Sequence, residues 1–177
     1  GGISSAESYC NSDANPQGSP PPPTPPWAGA YTAWLADSSS NEPRDRGLAS
    51  CAAAGASSLP WYLPDGVTKI ADNWADLTDG TIDTVINKTI PGSQPPGNLI
   101  WSCVNRDGSA MYGCNQTDCN NWSTGNSFFY GRIGAPGAVT GLGWSDVGDL
   151  YGWGDSPTAG QPCGAVLNHI LCVQHAP

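Results

Sequence analysis

Apolar and polar residues alternate in short runs along most of this chain, a pattern that predicts β-strands of a few residues rather than long helices. Four such runs are YTAWL at 31–35, LIWSCV at 99–104, FFYGRI at 128–133 and the closing stretch at 164–173. A fifth, WYLPDGVTKIA at 61–71, predicts a hairpin, because Pro64-Asp65-Gly66 supplies turn residues between two apolar halves.

Helical signals are confined to the first third of the chain. The segment 3–15 predicts a short helix, in which Ser4 and Glu7 fit a capping box and Cys10 falls on the buried face. Residues 48–55 favour one or two further helical turns. Early helices followed by many short strands predict a single α+β domain over 1–177, with a small twisted, mainly antiparallel sheet and long loops.

The segment 19–27, SPPPPTPPW, contains four consecutive prolines, which favour a polyproline II conformation. We interpret it as a stiff, proline-rich surface loop. A recognition segment or an O-glycosylated segment is the alternative interpretation.

The charge of the chain limits the classes of partner that it can bind. The net charge is −9, and there are only six basic residues. The chain therefore lacks the cations needed to neutralise a run of phosphates or to dock on an anionic membrane surface. No stretch approaches the roughly 20 apolar residues of a membrane-spanning helix. We expect no interaction with nucleic acid and no membrane insertion.

The seven cysteines predict a disulfide framework rather than a zinc site, because there is no C-x-x-C pair and the chain has only two His. Disulfides indicate an oxidising compartment, so we expect an extracellular or cell-surface location. The sequons at Asn87, Asn115 and Asn121 are candidate glycosylation sites in a host that performs this modification.

Four stretches together carry a family resemblance: YTAWLADS at 31–38, LPDGVTKIADNWADLTDG at 63–80, LIWSCVNRDGS at 99–109 with DCNNWST at 118–124, and C-x8-C at 163–172. They resemble the leptospiral endostatin-like family of bacterial secreted or surface domains. The resemblance spans nearly the whole chain and implies a C-type-lectin-like fold, similar to that of endostatin.

The resemblance also implies two disulfides. One joins Cys10, in the opening helix, to Cys172, and an inner one joins Cys119 to Cys163. In the chain-entropy description, a bridge that closes a loop as long as the outer one contributes on the order of 5 kcal/mol.

The three other cysteines are assigned from their positions. Cys103 and Cys114 flank a turn, and a third bridge across that turn is expected to contribute roughly 3 kcal/mol. Cys51 is then left over. It is either free and buried or linked to another molecule.

The chain departs from the family pattern in two places. Members usually carry a β-strand before the first helix, whereas here the helix begins almost at once, so we expect a missing first strand and an open sheet edge. Such an edge invites self-assembly by strand addition. The second departure is a Gly-rich insertion, VGDLYGWGDSPTAGQP, between the WSD at 144–146 and Cys163.

Calcium is the one cofactor for which the sequence offers candidates. Sugar-binding C-type lectins hold Ca²⁺ with motifs that include a WND tripeptide, which the WSD at 144–146 partly resembles. Calcium takes roughly six to eight oxygen ligands. The candidate carboxylates are Asp146, Asp149 and Asp155 in one group, and Asp72, Asp76 and Asp79 in another. The alternative is that these residues form Asx-turns in Gly-rich loops.

Aromatic residues in polar, loop-like contexts are candidates for stacking on a sugar ring or anchoring an interface. The alternative is that they fill the core, which we expect for Trp34, Trp61, Trp74 and Trp101. The candidate ligand-binding residues, in the loops 105–126 and 144–162, are Trp122, Trp144, Asp146, Tyr151, Trp153 and Asp155.

Catalysis has no comparable signal. No nucleophile-elbow, metalloprotease or phosphate-loop motif is present, and His169 lies within the apolar closing strand. We therefore expect a non-enzymatic extracellular module that binds a glycan or a surface or matrix protein. The alternatives are a structural subunit of an extracellular filament or appendage, and a secreted hydrolase with a carboxylate pair hidden among its acids.

Overall fold

The computed structural model describes residues 2–13, 31–37, 41–44, 46, 60–63, 67–87, 99–111, 114, 118–139, 141–145, 147, 160–164 and 169–174. The proline-rich segment 19–27, the predicted helical turns at 48–55 and Cys51 lie outside this part of the chain, as do the turn residues 64–66.

The described structure consists of two α-helices, a helical turn at Cys119–Trp122, a 3₁₀ helix at Gly141–Trp144 and a series of two- or three-residue strands. Helix α1 is Ile3–Asp13 and helix α2 is Trp74–Leu77. The strands are β1 Tyr31–Ala33, β2 Trp61–Tyr62, β3 Lys69–Ala71, β4 Ile100–Trp101, β5 Tyr130–Gly131, β6 Ile133–Gly134, β7 Gln161–Pro162, β8 His169–Ile170 and β9 Cys172–Gln174. The predicted α+β class is confirmed.

The described strands pair into four small sheets. Three are two-stranded and antiparallel: β1 with β9, β2 with β3, and β5 with β7. The fourth has the order β6-β4-β8, with β6 antiparallel and β8 parallel to β4. The pairing of β2 with β3 confirms the predicted hairpin. The pairing is mainly antiparallel, as predicted, although it is divided among several sheets.

The strands are shorter than their apolar runs suggested. YTAWL gives only Tyr31–Ala33, and in the closing stretch β8 pairs with β4 whereas β9 pairs with β1. In FFYGRI, the first two residues precede the strand, and Arg132 divides it, because β5 pairs with β7 whereas β6 pairs with β4. In LIWSCV, only the second and third residues form β4. Cys103 has φ of 61°, which an extended strand does not adopt, so the chain turns away there.

Helix α1 confirms the predicted opening helix and the inward position of Cys10, but the predicted capping box is wrong. Ser4 lies inside the helix, and the carbonyl of Gly2 accepts from Ser5 N and Ala6 N instead. The Glu7 carboxylate is turned toward β1, where it accepts a hydrogen bond from Ala33 N at 3.2 Å. A tertiary contact therefore replaces the local one.

The core is built on tryptophan. The ring of Trp34 lies 5.0 Å from that of Trp144 and 6.1 Å from that of Trp74, and Trp61 packs 6.4 Å from Trp74. Trp34 Nε1 donates to Ser145 Oγ at 2.8 Å, so the one polar atom of this buried indole is satisfied. The predicted core positions of Trp34, Trp61, Trp74 and Trp101 are confirmed.

Three disulfides tie the elements together. Cys10–Cys172 joins α1 to β9, and Cys119–Cys163 joins the start of a long loop to the residue after β7. Cys103–Cys114 closes the turn after β4. Both bridges implied by the resemblance and the one expected across the turn are confirmed.

The outer edge of β1 is occupied by side chains. Trp34 N donates to Leu171 O, so in this antiparallel register Ala33 turns its N–H and C=O away from β9. Glu7 accepts from that N–H, and Arg46 Nη2 donates to the carbonyls of Ala33 and Leu35 at 2.7 and 2.6 Å. The edge groups that an added strand would use at Ala33 are therefore already bonded.

We predict that a digest under non-reducing conditions gives the three bridged peptides and no Cys10–Cys51 peptide, as read by mass spectrometry. Replacing Cys10 and Cys172 together by Ser should lower the free energy of unfolding by about 2–5 kcal/mol, because the unfolded chain regains the freedom that the long loop had lost. A Cys10–Cys51 peptide would show that the pairing described here is wrong.

Arg46→Gln is expected to lower the free energy of unfolding by about 2–3 kcal/mol, because it leaves the partly buried Glu7 carboxylate and two backbone carbonyls without their charged donor. The measurement is urea denaturation at neutral pH. The control is Arg106→Gln at an exposed arginine, which should cost less than about 1 kcal/mol. Equal losses in the two variants would contradict the role assigned to Arg46.

Candidate functional site

The chain between Cys119 and Tyr130 forms an exposed loop of unusual composition. We call residues 120–129, NNWSTGNSFF, the amide loop. It contains three Asn, two Ser and one Thr but no charged residue, in a chain whose net charge is −9. Seven of its members have exposed side chains or, for glycine, an exposed backbone, and an eighth, Phe129, is 42% exposed. The loop therefore presents a neutral, hydrogen-bonding surface.

The first half of the amide loop is held by its base. Residues Cys119–Trp122 form a left-handed turn, with φ between 54° and 57°. The buried carboxylate of Asp118 accepts from Asn121 N at 3.0 Å and stabilises this turn, and Cys119 is fixed by its disulfide to Cys163. Trp122 O also accepts from Gly2 N at 2.8 Å, which connects the loop to the start of α1.

The second half of the loop is fixed by Asn126. Its Oδ1 accepts from Phe128 N, and its carbonyl accepts from Phe129 N, each at 3.0 Å. Cys163 N then donates to Phe129 O at 2.9 Å, beside the disulfide. The result is a turn that places the Phe128 side chain outward, where it is 88% exposed.

Trp122, a predicted ligand contact, instead lies against the core. Its Nε1 donates to Ala36 O at 2.6 Å, and its ring lies 5.9 Å from that of Trp101. The aromatic group that the loop presents to solvent is Phe128. Phe128 was not among the predicted site residues, because the pattern FFYGRI predicts a strand. The available signal was Asn126-Ser127, an Asx-turn dipeptide directly before the two phenylalanines.

The other predicted site residues fall into two groups. Trp144 is 1% exposed and packs against Trp34 with the two rings tilted by 40°, so in this structure its indole cannot contact a ligand. Its position corrects the expectation drawn from the WSD motif, and the cause is the packing of the tryptophan core. The remaining candidates lie outside the described residues and stay predictions: Asp146, Asp149, Tyr151, Trp153 and Asp155.

The acidic residues near α2 are engaged in local contacts. Lys69 Nζ pairs with Asp72 and, at 2.9 Å, with Asp83. The hydrogen bonds that Lys69 donates to Asp72 and then to Asp83 raise the pKa of Lys69 well above its ordinary value. Asp76 Oδ2 accepts from Asp72 N at 2.6 Å. Among the residues that the structure describes, no group of three or more His, Cys, Asp or Glu is arranged to hold a metal ion.

Two of the three sequons can be located. Asn87 and Asn121 are exposed, whereas Asn115 lies outside the described residues. Glycosylation of each stays a prediction.

His169 is half-buried on β8, and its backbone N–H donates to Leu99 O.

Comparison with known protein families gives no match for this chain, and comparison with curated proteins gives none. Within the described ranges, no helix is long and apolar enough to span a membrane. The three disulfides indicate an oxidising environment.

The turn at Asp79 allows a test of how hydrogen bonds lower the pKa of a carboxyl group. Asp79 Oδ1 accepts from both the hydroxyl and the N–H of Thr81 at 2.8 Å, and these bonds, the hydroxyl first, lower the pKa of Asp79. We expect Thr81→Val to raise the pKa of Asp79, read from its carboxyl ¹³C shift in an NMR titration. A carboxyl whose pKa is depressed in the folded state stabilises the fold at pH values above its ordinary pKa of about 3.9. This stabilisation is lost as the pH falls through the folded-state pKa. The variant should therefore show a weaker loss of stability in acid.

The matched control is Ser109→Ala. Burial acts to raise the pKa of Asp107, but hydrogen bonds from the Ser109 hydroxyl and N–H outweigh it and lower that pKa. Ser109→Ala should therefore raise the pKa of Asp107 and leave that of Asp79 unchanged. An unchanged Asp79 titration in Thr81→Val would contradict the assigned cause.

Proposed function

We propose that this protein is a non-enzymatic extracellular binding module that contacts a glycan or a surface protein through the amide loop. The observation that carries the proposal is the exposure of Phe128, 88%, at the tip of a loop held at its base by the Cys119–Cys163 bridge. Burying a phenylalanine is worth roughly 1.5–3 kcal/mol, so leaving one in water forgoes stability that binding can recover.

The way the loop is held supports binding rather than a chance exposure. A contact residue on a freely moving loop would lose conformational entropy when a ligand orders it, roughly 1–2 kcal/mol per residue. Here the disulfide, the Asp118 carboxylate and the Asn126 turn fix the backbone on both sides of Phe128 before any ligand arrives. The loop is therefore preorganised to offer the ring.

The arrangement of the disulfides supports a C-type-lectin-like organisation. In our proposal, the Cys10–Cys172 bridge clips the first helix to the last strand, while the inner bridge holds the long loops that carry the binding surface. The residues 105–126 and 144–162 belong to these loops, and Tyr151, Trp153 and Asp155 stay candidate contacts in addition to Phe128. Calcium at Asp146, Asp149 and Asp155 stays part of the proposal as a candidate cofactor.

The extracellular location is proposed from the same bridges, because structural disulfides persist outside the reducing cytosol. The alternative, a filament subunit joined by strand addition, needs a free sheet edge. At β1, Glu7 and Arg46 occupy the backbone groups of Ala33 that a new strand would use, so addition there would first have to displace an ion pair. The described residues therefore favour the binding module.

The proposal predicts that Phe128→Ala weakens ligand binding by about 2 kcal/mol, or roughly thirtyfold, because the ring is the exposed centre of the contact surface. The measurement is biolayer interferometry of the intact, oxidised chain against immobilised neutral polysaccharides, collagen, laminin and fibronectin, with and without EDTA. Binding that persists in EDTA would remove calcium from the proposal.

Val67→Ala is the matched control, since Val67 is 78% exposed but lies outside the amide loop. It should leave binding unchanged. The absence of binding to every surface, or equal losses in the two variants, would contradict the proposed function.

A further inference from the structure

We propose that Phe128 and Asn126 form a subsite for one uncharged sugar ring of a neutral glycan. This inference rests on the proposed function and specifies its ligand. The two residues are two positions apart in one turn, joined by the hydrogen bond from Phe128 N to Asn126 Oδ1 at 3.0 Å. One side chain offers an apolar face and the other a polar group, which are the two kinds of contact that a pyranose can make at once.

The ring supplies the stacking surface. A phenyl ring carries negative charge density on its faces, and it attracts weakly positive C–H groups there. A pyranose presents such C–H groups on its flatter face. Phe128 has no polar atom of its own, and its 88% exposure leaves its surface open to solvent. It can therefore accept a sugar face without first losing a contact inside the protein.

Asn126 supplies the hydrogen bonds. Its Oδ1 is bound to Phe128 N, and its N–H donates to Thr124 Oγ1 at 3.1 Å, so the orientation of the residue is fixed. No hydrogen bond within the described part of the chain uses the Asn126 Nδ2 atom, and the residue is exposed. Its two amide hydrogens are free to donate to hydroxyl oxygens beside the ring.

The charge of the loop selects an uncharged glycan. There is no charged residue from 119 to 131, and the nearest carboxylate along the chain, Asp118, is buried and bonded to Asn121 N. An acidic sugar would meet a chain of net charge −9 without finding a cation in the loop. A cationic sugar would find no exposed carboxylate there. Neutral hydroxyls match the Asn, Ser and Thr side chains.

The same features argue against a protein as the ligand. Stable protein interfaces bury about 800 Å² on each partner and have an apolar, aromatic-rich centre. In the amide loop, the exposed apolar groups are Phe128 and, at 42%, Phe129, and they are surrounded by amides and hydroxyls. The apolar surface of Phe128 and Phe129 is therefore suited to one sugar ring rather than to a protein interface.

The test uses the intact, oxidised chain and a panel of hexasaccharides. The neutral members are cello-, malto-, manno- and chito-hexaose, and the charged members are oligogalacturonate and chitosan hexamers. Binding is measured by isothermal titration calorimetry. We expect at least one neutral hexasaccharide to bind, with transfer of NMR saturation from Phe128 ring protons to sugar C–H groups, and we expect weaker binding of both charged hexamers.

Two substitutions at Phe128 separate stacking from general apolar contact. Phe128→Leu keeps an exposed apolar side chain but removes the π face, and it should weaken binding of the neutral hexasaccharide by about tenfold or more. Phe128→Trp keeps a π face and should stay within about threefold of the unmodified chain. Equal binding by the Leu variant would overturn the inference.

The Asn126 contribution has its own matched pair. Asn126→Asp keeps the oxygen that binds Phe128 N but removes the amide donors, and it should weaken binding by about tenfold. Asn120→Asp introduces the same charge into the same loop, but the Asn120 amide already donates to Ser123 Oγ at 3.1 Å. It should change binding by less than about threefold. Equal losses would overturn the role of Asn126.

The outcomes also separate this inference from the proposed function. Phe128-dependent binding to collagen, laminin or fibronectin, without binding to any hexasaccharide, would overturn the sugar subsite and leave the binding module standing. A preference for a charged hexamer would do the same. The absence of binding in both experiments would overturn both proposals.

Discussion

The fold depends on one arginine, Arg46, which binds the outer edge of β1 and the Glu7 carboxylate of helix α1. Arg46 lies on a polar segment, yet its guanidinium donates to the Glu7 carboxylate, to the Asn41 carbonyl and side chain, and to the carbonyls of Ala33 and Leu35. A planar group with five donors is suited to this, whereas a lysine ammonium could not reach as many acceptors. Through these bonds the helix, the first strand and the segment after it are held as one unit. The edge of β1 is occupied at Ala33, which lies in a buried apolar cluster with Ile3 and Leu35.

The amide loop is held by a different means. Its base is covalent, and the tryptophan core lies behind it, since Trp122 bonds to Ala36 O and packs on Trp101. The Cys119–Cys163 bridge and the Trp122 indole therefore anchor the loop to the rest of the fold. This division lets Phe128 be exposed without making the fold unstable. The core residues carry the hydrophobic stabilisation, and the loop residues are left to meet solvent or a ligand.

Much of this architecture could be predicted from the sequence, for identifiable reasons. Pro64-Asp65-Gly66 marks the hairpin of β2 and β3 in the sequence, and the cysteine pairs were implied by a resemblance or by a short turn. Phe128 was misassigned because an apolar pair before a strand has the same pattern whether it is buried or exposed. Arg46 was missed because its acceptors lie on α1 and β1, and a polar run gives no indication of distant partners. Local periodicity identifies elements, whereas contacts between distant residues decide which side chains face solvent.

The three disulfides are nested rather than interlaced. Cys103–Cys114 and Cys119–Cys163 follow one another inside the span of Cys10–Cys172, with sequence separations of 11, 44 and 162 residues. The two inner bridges close separate loops that do not overlap in sequence. Loop-closure entropy grows only logarithmically, about 0.6 kcal/mol for each doubling of length. Exposed loops between Cys119 and Cys163, such as the amide loop, can therefore lengthen or shorten at little entropic cost while the outer bridge stays fixed. In evolutionary terms, these loops are free to diversify on a constant frame.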